Sequence, residues 1–214
     1  LQVAKSRREV IQHAQALKYL LERIVAKQEP WSEALILDTH RILHTGLGED
    51  VNAGRYRSYE DAVWYEKPRP GRGRAPRSIR AAAVPWHMRR MVERLNRDMA
   101  DAERSGKVDA CALAARYHHQ FVNIHPFGDG NGRMSRIILN ALLLRFSGCV
   151  SVVGIDAPER DEYIAIAKRA ASGFHAEDME VAFEKHTGHL ELAGFLSARA
   201  EQVMKSSNDR LFPA

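Results

Sequence analysis

Twelve consecutive residues, His125 to Arg136, bring together one imidazole, one carboxylate, one carboxamide, three glycines and two guanidiniums. Their order is His-Pro-Phe-Gly-Asp-Gly-Asn-Gly-Arg-Met-Ser-Arg, and an apolar run from Ile137 to Leu144, interrupted by Asn140, follows directly. A glycine-rich loop that opens a helix is an anion site in its own right: unpaired N–H groups and the positive end of the helix dipole point at whatever binds there. Arg133 and Arg136 add forked donors that match phosphate oxygens. Asp129 is a hard oxygen ligand able to hold Mg²⁺ against those phosphates. The unperturbed pKa of His125 lets it accept a proton near neutral pH. This set describes a phosphate-transfer site with its own base. Asp129-Gly130-Asn131-Gly132 alone could be a tight turn, since Gly and Asn tolerate positive φ. That reading leaves the histidine four residues earlier and the two arginines unexplained.

Helices must position this loop, and helical periodicity dominates the chain. Val3, Val10, Ala14, Leu17, Leu21 and Ile24 mark the face of a first helix. Ser32 is placed to cap a second, from Glu33 to about Thr45 with a stop at Gly46. Val84, Met88, Met91, Leu95 and Met99 form the inward stripe of a third, with Met as core filler. Asp109 caps a fourth, whose Leu113, Tyr117, Phe121 and Ile124 turn inward and whose end delivers the chain to His125. The fifth, Gly132 to Phe146, is apolar nearly all round and so central. Asp156-Ala157-Pro158-Glu159 reads as a capping box opening a sixth, closed near Gly173. Two shorter helices are expected around 176–186 and 190–205. Tyr56 to Glu66, with β-prone Val63-Trp64-Tyr65, is the one expected strand region. The fold class is therefore all-α, one domain over 1–214, with a short β-hairpin flap before the third helix.

Composition narrows the function classes. A 45% hydrophobic fraction over 214 residues suits one globular domain with a real core. No apolar run approaches the ~20 residues needed to span a bilayer. Cys111 and Cys149 fit neither zinc spacing nor a disulfide framework, and are expected as buried thiols. The net charge of +5 is concentrated in the Pro/Gly-rich stretch Lys67 to Arg80. Without interleaved aromatics or a groove-reading helix, that stretch reads as a solvated or protein-docking loop rather than a nucleic-acid tail. His118 and His119 are adjacent on a helix and so point apart, which argues against a shared metal. The compartment is open, with cytoplasm the default, and the start at Leu1 rather than Met suggests a fragment.

The stretch 125–136 resembles the signature of the Fic family, His-x-Phe-x-(Asp/Glu)-Gly-Asn-Gly-Arg-x-x-Arg, at every fixed position. Gly54-Arg55-Tyr56-Arg57 and the surrounding helical pattern resemble the family's layout over roughly residues 1 to 200. The resemblance implies a Fic-type helical domain in which a flap aligns a target segment by β-addition. It also implies transfer of AMP from ATP, with Mg²⁺, to a Ser, Thr or Tyr hydroxyl of a protein. In that scheme His125 is the general base and Asp129 the metal ligand. Gly130, Asn131 and Gly132 form the anion hole, with the Asn131 amide assisting at the α-phosphate. Arg133 serves the β-phosphate and Arg136 the γ-phosphate. Phe127 anchors the loop inward, and Tyr163 is placed to contact the nucleoside. The family's downstream Asn has no counterpart here, where Ala170, Ala171 and Ser172 stand instead. A homodimer is compatible with the resemblance.

Many Fic proteins carry an inhibitory helix, (Ser/Thr)-x-x-x-Glu-(Gly/Asn), whose Glu pairs with the second motif arginine. Residues 187–192 and 197–202 are near misses only. The first helix resembles the segment that follows such a helix, so the expectation is that it lay upstream of Leu1. Removal of AMP from a modified protein by the same site of the full-length protein is the alternative activity. A non-catalytic basic-loop module and a phosphate-transferring relative are the remaining rivals.

Overall fold

The computed structural model describes residues 2–46, 52–60, 79–153 and 156–211. Among these, seven α-helices account for most of the chain: α1 (Gln2–Leu21), α2 (Glu33–His44), α3 (Val84–Ser105), α4 (Ala110–Ile124), α5 (Asn131–Ser147), α6 (Ala157–Glu180) and α7 (Leu190–Leu211). The expected caps form. Ser32 accepts from the Leu35 N–H at 3.1 Å, Asp109 from Ala112 at 2.8 Å and Asp156 from Glu159 at 2.9 Å. Each satisfies one of the orphan donors at a helix start.

The core lies around α5. Ile137, Ile138, Leu139, Ala141 and Leu142 are fully buried, because α5 is covered by α4 on one side and by α1 with its trailing wide turn, Glu22–Ala26, on another. Helix α3 presents Val84, Met88, Met91, Leu95 and Met99 inward as its spacing predicts. Helices α6 and α7 pack on the opposite face of α4, and the Arg199–Glu159 ion pair at 2.9 Å ties them together.

Several expectations change. The buried row is Ala16 and Leu20 of α1 and Ile24 of the turn that follows it, while Val10 is exposed. The helix packs on α2 and α5 at once, so Leu17 and Leu21 of the expected face still pack against the core while Val10 does not. Gly173 does not end α6, which continues to Glu180; its φ stays out of the left-handed region that a glycine cap uses. The separate helix expected at 176–186 is therefore the end of α6 plus a single turn, Phe183–Lys185. Cys149 is exposed rather than buried, because α5 stops at left-handed Gly148 and the chain leaves the core there.

The β-hairpin flap is not seen among the described residues. Tyr56 to Glu60 is irregular, and its polar groups turn to the loop at 125–127 rather than to a neighbouring strand: the Arg57 N–H donates to Pro126 O at 2.9 Å. Val63, Trp64 and Tyr65, and the basic stretch as far as residue 78, lie outside the described residues.

Candidate active site

His125 is the first residue after α4 and sits in the left-handed region, φ 51 and ψ 60. That conformation costs a non-glycine residue about 1–2 kcal/mol, so the surroundings must hold it. Arg57 does so. This guanidinium, 3% exposed, donates from Nε to His125 O at 2.7 Å, from Nη1 to Tyr59 O at 3.0 Å and from Nη2 to Ile79 O. Nδ1 of His125 lies 3.3 Å from Val122 O, a carbonyl that can only accept. Nδ1 therefore carries the proton, and Nε2 is the basic nitrogen.

Phe127 is fully buried and anchors the loop. Its main chain is bracketed by Asn131, whose Oδ1 accepts from Phe127 N–H at 3.0 Å and whose Nδ2 donates to Phe127 O at 2.6 Å. The Asn131 amide, expected at the α-phosphate, is thus a staple of the loop here, and its backbone N–H is the part that faces the head of α5. The intrahelical ladder of α5 starts with Met134 N–H to Gly130 O at 2.9 Å. The N–H groups of Asn131, Gly132 and Arg133 precede that first bond, which is the arrangement an anion site requires.

His40 of α2, unmarked in the sequence, is the second clamp. Its ring stacks on Phe127 with centroids 3.7 Å apart and planes 9° apart. Gly54 N–H donates to its Nδ1 at 2.9 Å, which places the ring proton on Nε2, and Nε2 donates to Asp129 O at 3.0 Å. One neutral tautomer thus joins the Gly54–Arg57 segment to the loop. Gly130, with φ 79, must be glycine for two reasons: the left-handed conformation, and a Cβ there would lie 2.5 Å from His44 Nε2. Only the spacing of His40 and His44, one helical turn apart, hinted at their joint placement.

The charged groups remain nearer the surface. Asp129 is exposed; Oδ1 accepts from Gly130 N–H at 2.6 Å and Oδ2 from Arg133 Nη2 at 3.2 Å. Nη1 of Arg133 is buried with no hydrogen-bond partner among the described residues. Arg136 folds back toward the start of α5, its Nη1 lying 3.5 Å from where a Gly132 Cβ would sit. His13 of α1 joins this group: burial, then Arg136 and Arg133, push its pKa down. Tyr163, on α6, is half-buried and its hydroxyl lies 2.8 Å from His118 Nε2. Burial raises the Tyr163 pKa, with neighbouring Arg136 pulling it back. His125, Asp129, Arg133 and Arg136 therefore share one loop and helix head, and Tyr163 joins them through Arg136.

A sequence profile of the Fic/DOC family matches residues 30–143, more than half of the chain, including the loop and helix head from His125 to Arg136. The chain belongs to the Fic/DOC family. Protein adenylyltransferase Fic of Nematostella vectensis is 29% identical over 77% of the chain, and the protein of that name from Drosophila ananassae is 31% identical over 74%. The chain spans only 34% and 28% of the length of these two relatives. The fold matches a Fic domain containing signaling protein from Bacteroides thetaiotaomicron with a TM-score of 0.71, covering 89% of this chain and 66% of that one at 21% identity. Among the described residues the fold is thus helical, as the helical part of the sequence pattern implies.

A Fic assignment implies Mg²⁺. Among the described residues no cluster of three or more His, Cys, Asp or Glu side chains could cage a metal. Mg²⁺ at a nucleotide needs no cage: one carboxylate plus substrate phosphates and water suffices. Asp129, exposed at the head of α5, fits that donor set. No helix among the described residues is long and apolar enough to cross a membrane.

Proposed function

We propose that this Fic domain transfers AMP from ATP to a Ser, Thr or Tyr hydroxyl of a protein target and releases pyrophosphate. Its similarity to proteins named protein adenylyltransferase supports the reaction class. The observation that carries the reading at the site is the head of α5. There, free-standing N–H groups, a buried Arg133 Nη1 with no partner among the described residues, and Arg136 folded back over Gly132 converge. Such preorganised donors favour a triphosphate and stabilise the charge that develops during its transfer.

His125 Nε2 takes the proton of the target hydroxyl as its oxygen attacks the α-phosphorus, and the bond from that phosphorus to the pyrophosphate oxygen breaks. The N–H groups of Asn131 and Gly132 receive the α-phosphate oxygens, and that of Gly130 joins them only if it leaves Asp129 Oδ1. Arg133 serves the β-phosphate and Arg136 the γ-phosphate. Asp129 would hold Mg²⁺, which when bound neutralises charge on the leaving pyrophosphate. Tyr163 belongs to the nucleotide side of the site.

Intact-mass spectrometry after incubation with ATP and Mg²⁺ tests the reading. The expected result is a mass gain of AMP on the protein or an added target. A gain of one phosphate instead would mark a kinase. His125→Ala is expected to abolish labelling while ATP binding stays within about threefold of wild type, since positioning groups are untouched. Undiminished labelling by that variant would remove His125 as the base.

A further inference from the structure

Behind the arginines, α4 and α6 make a polar contact that the transfer scheme does not use. His118, 2% exposed, meets the Tyr163 hydroxyl at 2.8 Å through Nε2, and the two rings pack edge-to-face with centroids 5.8 Å apart. Arg136 also reaches the Tyr163 hydroxyl, pulling its pKa down through its charge and a side-chain hydrogen bond. Packing alone does not call for a hydroxyl here: a phenylalanine would fill the same space, and a buried polar pair costs desolvation unless it is matched.

We propose that His118, acting through the Tyr163 hydroxyl, is the positioning residue that holds the Arg136 guanidinium over the head of α5. The direction of each proton follows from donor chemistry. A guanidinium has donors only, so Arg136 donates toward the Tyr163 oxygen. The Tyr163 O–H then donates to His118 Nε2, and His118 carries its own proton on Nδ1. Burial, the neighbouring His119 and Arg136 hold His118 down to about pKa 3, so it stays a neutral acceptor throughout the physiological range. A cation at that position would repel Arg136, and a purely apolar residue would leave the hydroxyl unoriented. On this account Tyr163 influences the nucleotide through the far phosphate rather than by reading the base.

The inference rests on Arg136 being the γ-phosphate arm, so ATP and ADP separate its failure from failure of the function itself. Calorimetric titration of the intact chain with each nucleotide and Mg²⁺ is the measurement, with thermal melts confirming that the variants fold. Tyr163→Phe is expected to weaken ATP binding roughly 3- to 10-fold, the effect of one lost hydrogen bond, while ADP affinity stays within about twofold. His118→Leu is expected to reproduce that loss, and His118→Gln, which keeps an acceptor, to restore most of it. Wild-type ATP affinity in Tyr163→Phe would overturn the proposal, as would equal losses for ATP and ADP. A wild-type chain that binds no ATP would overturn the transfer reading itself.

Discussion

Helix α4 separates two regions of opposite construction. At its C-terminal end, around His125 and Phe127, polar groups are met by exact partners: Arg57 on three carbonyls, Asn131 on both sides of one peptide, His40 on Gly54 and Asp129. On its other side, toward α6 and α7, His118 Nδ1 and His119 Nε2 are buried without hydrogen-bond partners among the described residues. Both histidines line a small cavity with Asn123, Tyr163 and Gly188. The difference teaches where precision is needed. The loop must hold a base in a left-handed backbone conformation, so its anchors act on main-chain atoms. Among the described residues the α4–α6–α7 junction carries no strained backbone, and apart from the His118–Tyr163 contact it tolerates neutral imidazoles with unmet capacity.

The contrast can be broken most severely at Arg57. Arg57→Ala leaves three carbonyls without that donor, and a loss of about 3–5 kcal/mol in chemical unfolding is expected, together with loss of AMP transfer. If stability and labelling survive, the loop is held by something else. The α4–α6–α7 side is expected to fail by acid instead. Burial first, then neighbouring charges, depress His118 to about 3 and both His119 and His189 to about 4. Unfolded histidine titrates near 6.5. Between those values the unfolded chain binds more protons, so the stability these histidines contribute is present above pH ~6.5 and is lost as pH falls toward 4. A melting temperature about 10 °C lower at pH 5 than at pH 7 is expected, and His119→Gln should flatten that slope. A flat profile in the wild type would deny the burial of neutral imidazoles.

Smaller effects sharpen the same contrast. Gly130→Ala combines a left-handed φ with a Cβ 2.5 Å from His44 Nε2 and is expected to cost roughly 2 kcal/mol while displacing the anion site. Labelling rate should fall more than stability does; a parallel fall would make Gly130 a purely structural glycine. Smallest is Tyr56→Phe, which removes a 3.0 Å hydrogen bond to Glu33 and is expected to cost about 1 kcal/mol with little change in rate. A large rate effect from it would extend the precise region to Glu33, at the start of α2.

What the sequence made legible follows from range. Ser32, Asp109 and Asp156 bond to N–H groups three residues on, so spacing reveals them. The loop residues are contiguous and their chemistry can be read together. Arg57 and His40 act on backbone atoms 68 and 89 residues away, and no local pattern marks a side chain whose partner is a carbonyl. Gly173 misled because a glycine ends a helix only when the chain beyond it turns; here Phe174, buried against the core, continues α6. The π-faced pairing of His40 with Phe127 had no sequence signal beyond the histidines' spacing.

Arg57 touches more than the histidine. By reaching Tyr59 O and Ile79 O it gathers the two margins of the intervening stretch at one point, and Ala81 N–H to Glu60 Oε1 at 3.1 Å fastens them a second time. Closing a longer loop adds only about 0.6 kcal/mol per doubling of its length. We therefore expect the length of chain between residues 60 and 79 to matter little to the base, because Arg57 fixes both margins to the residue that carries it.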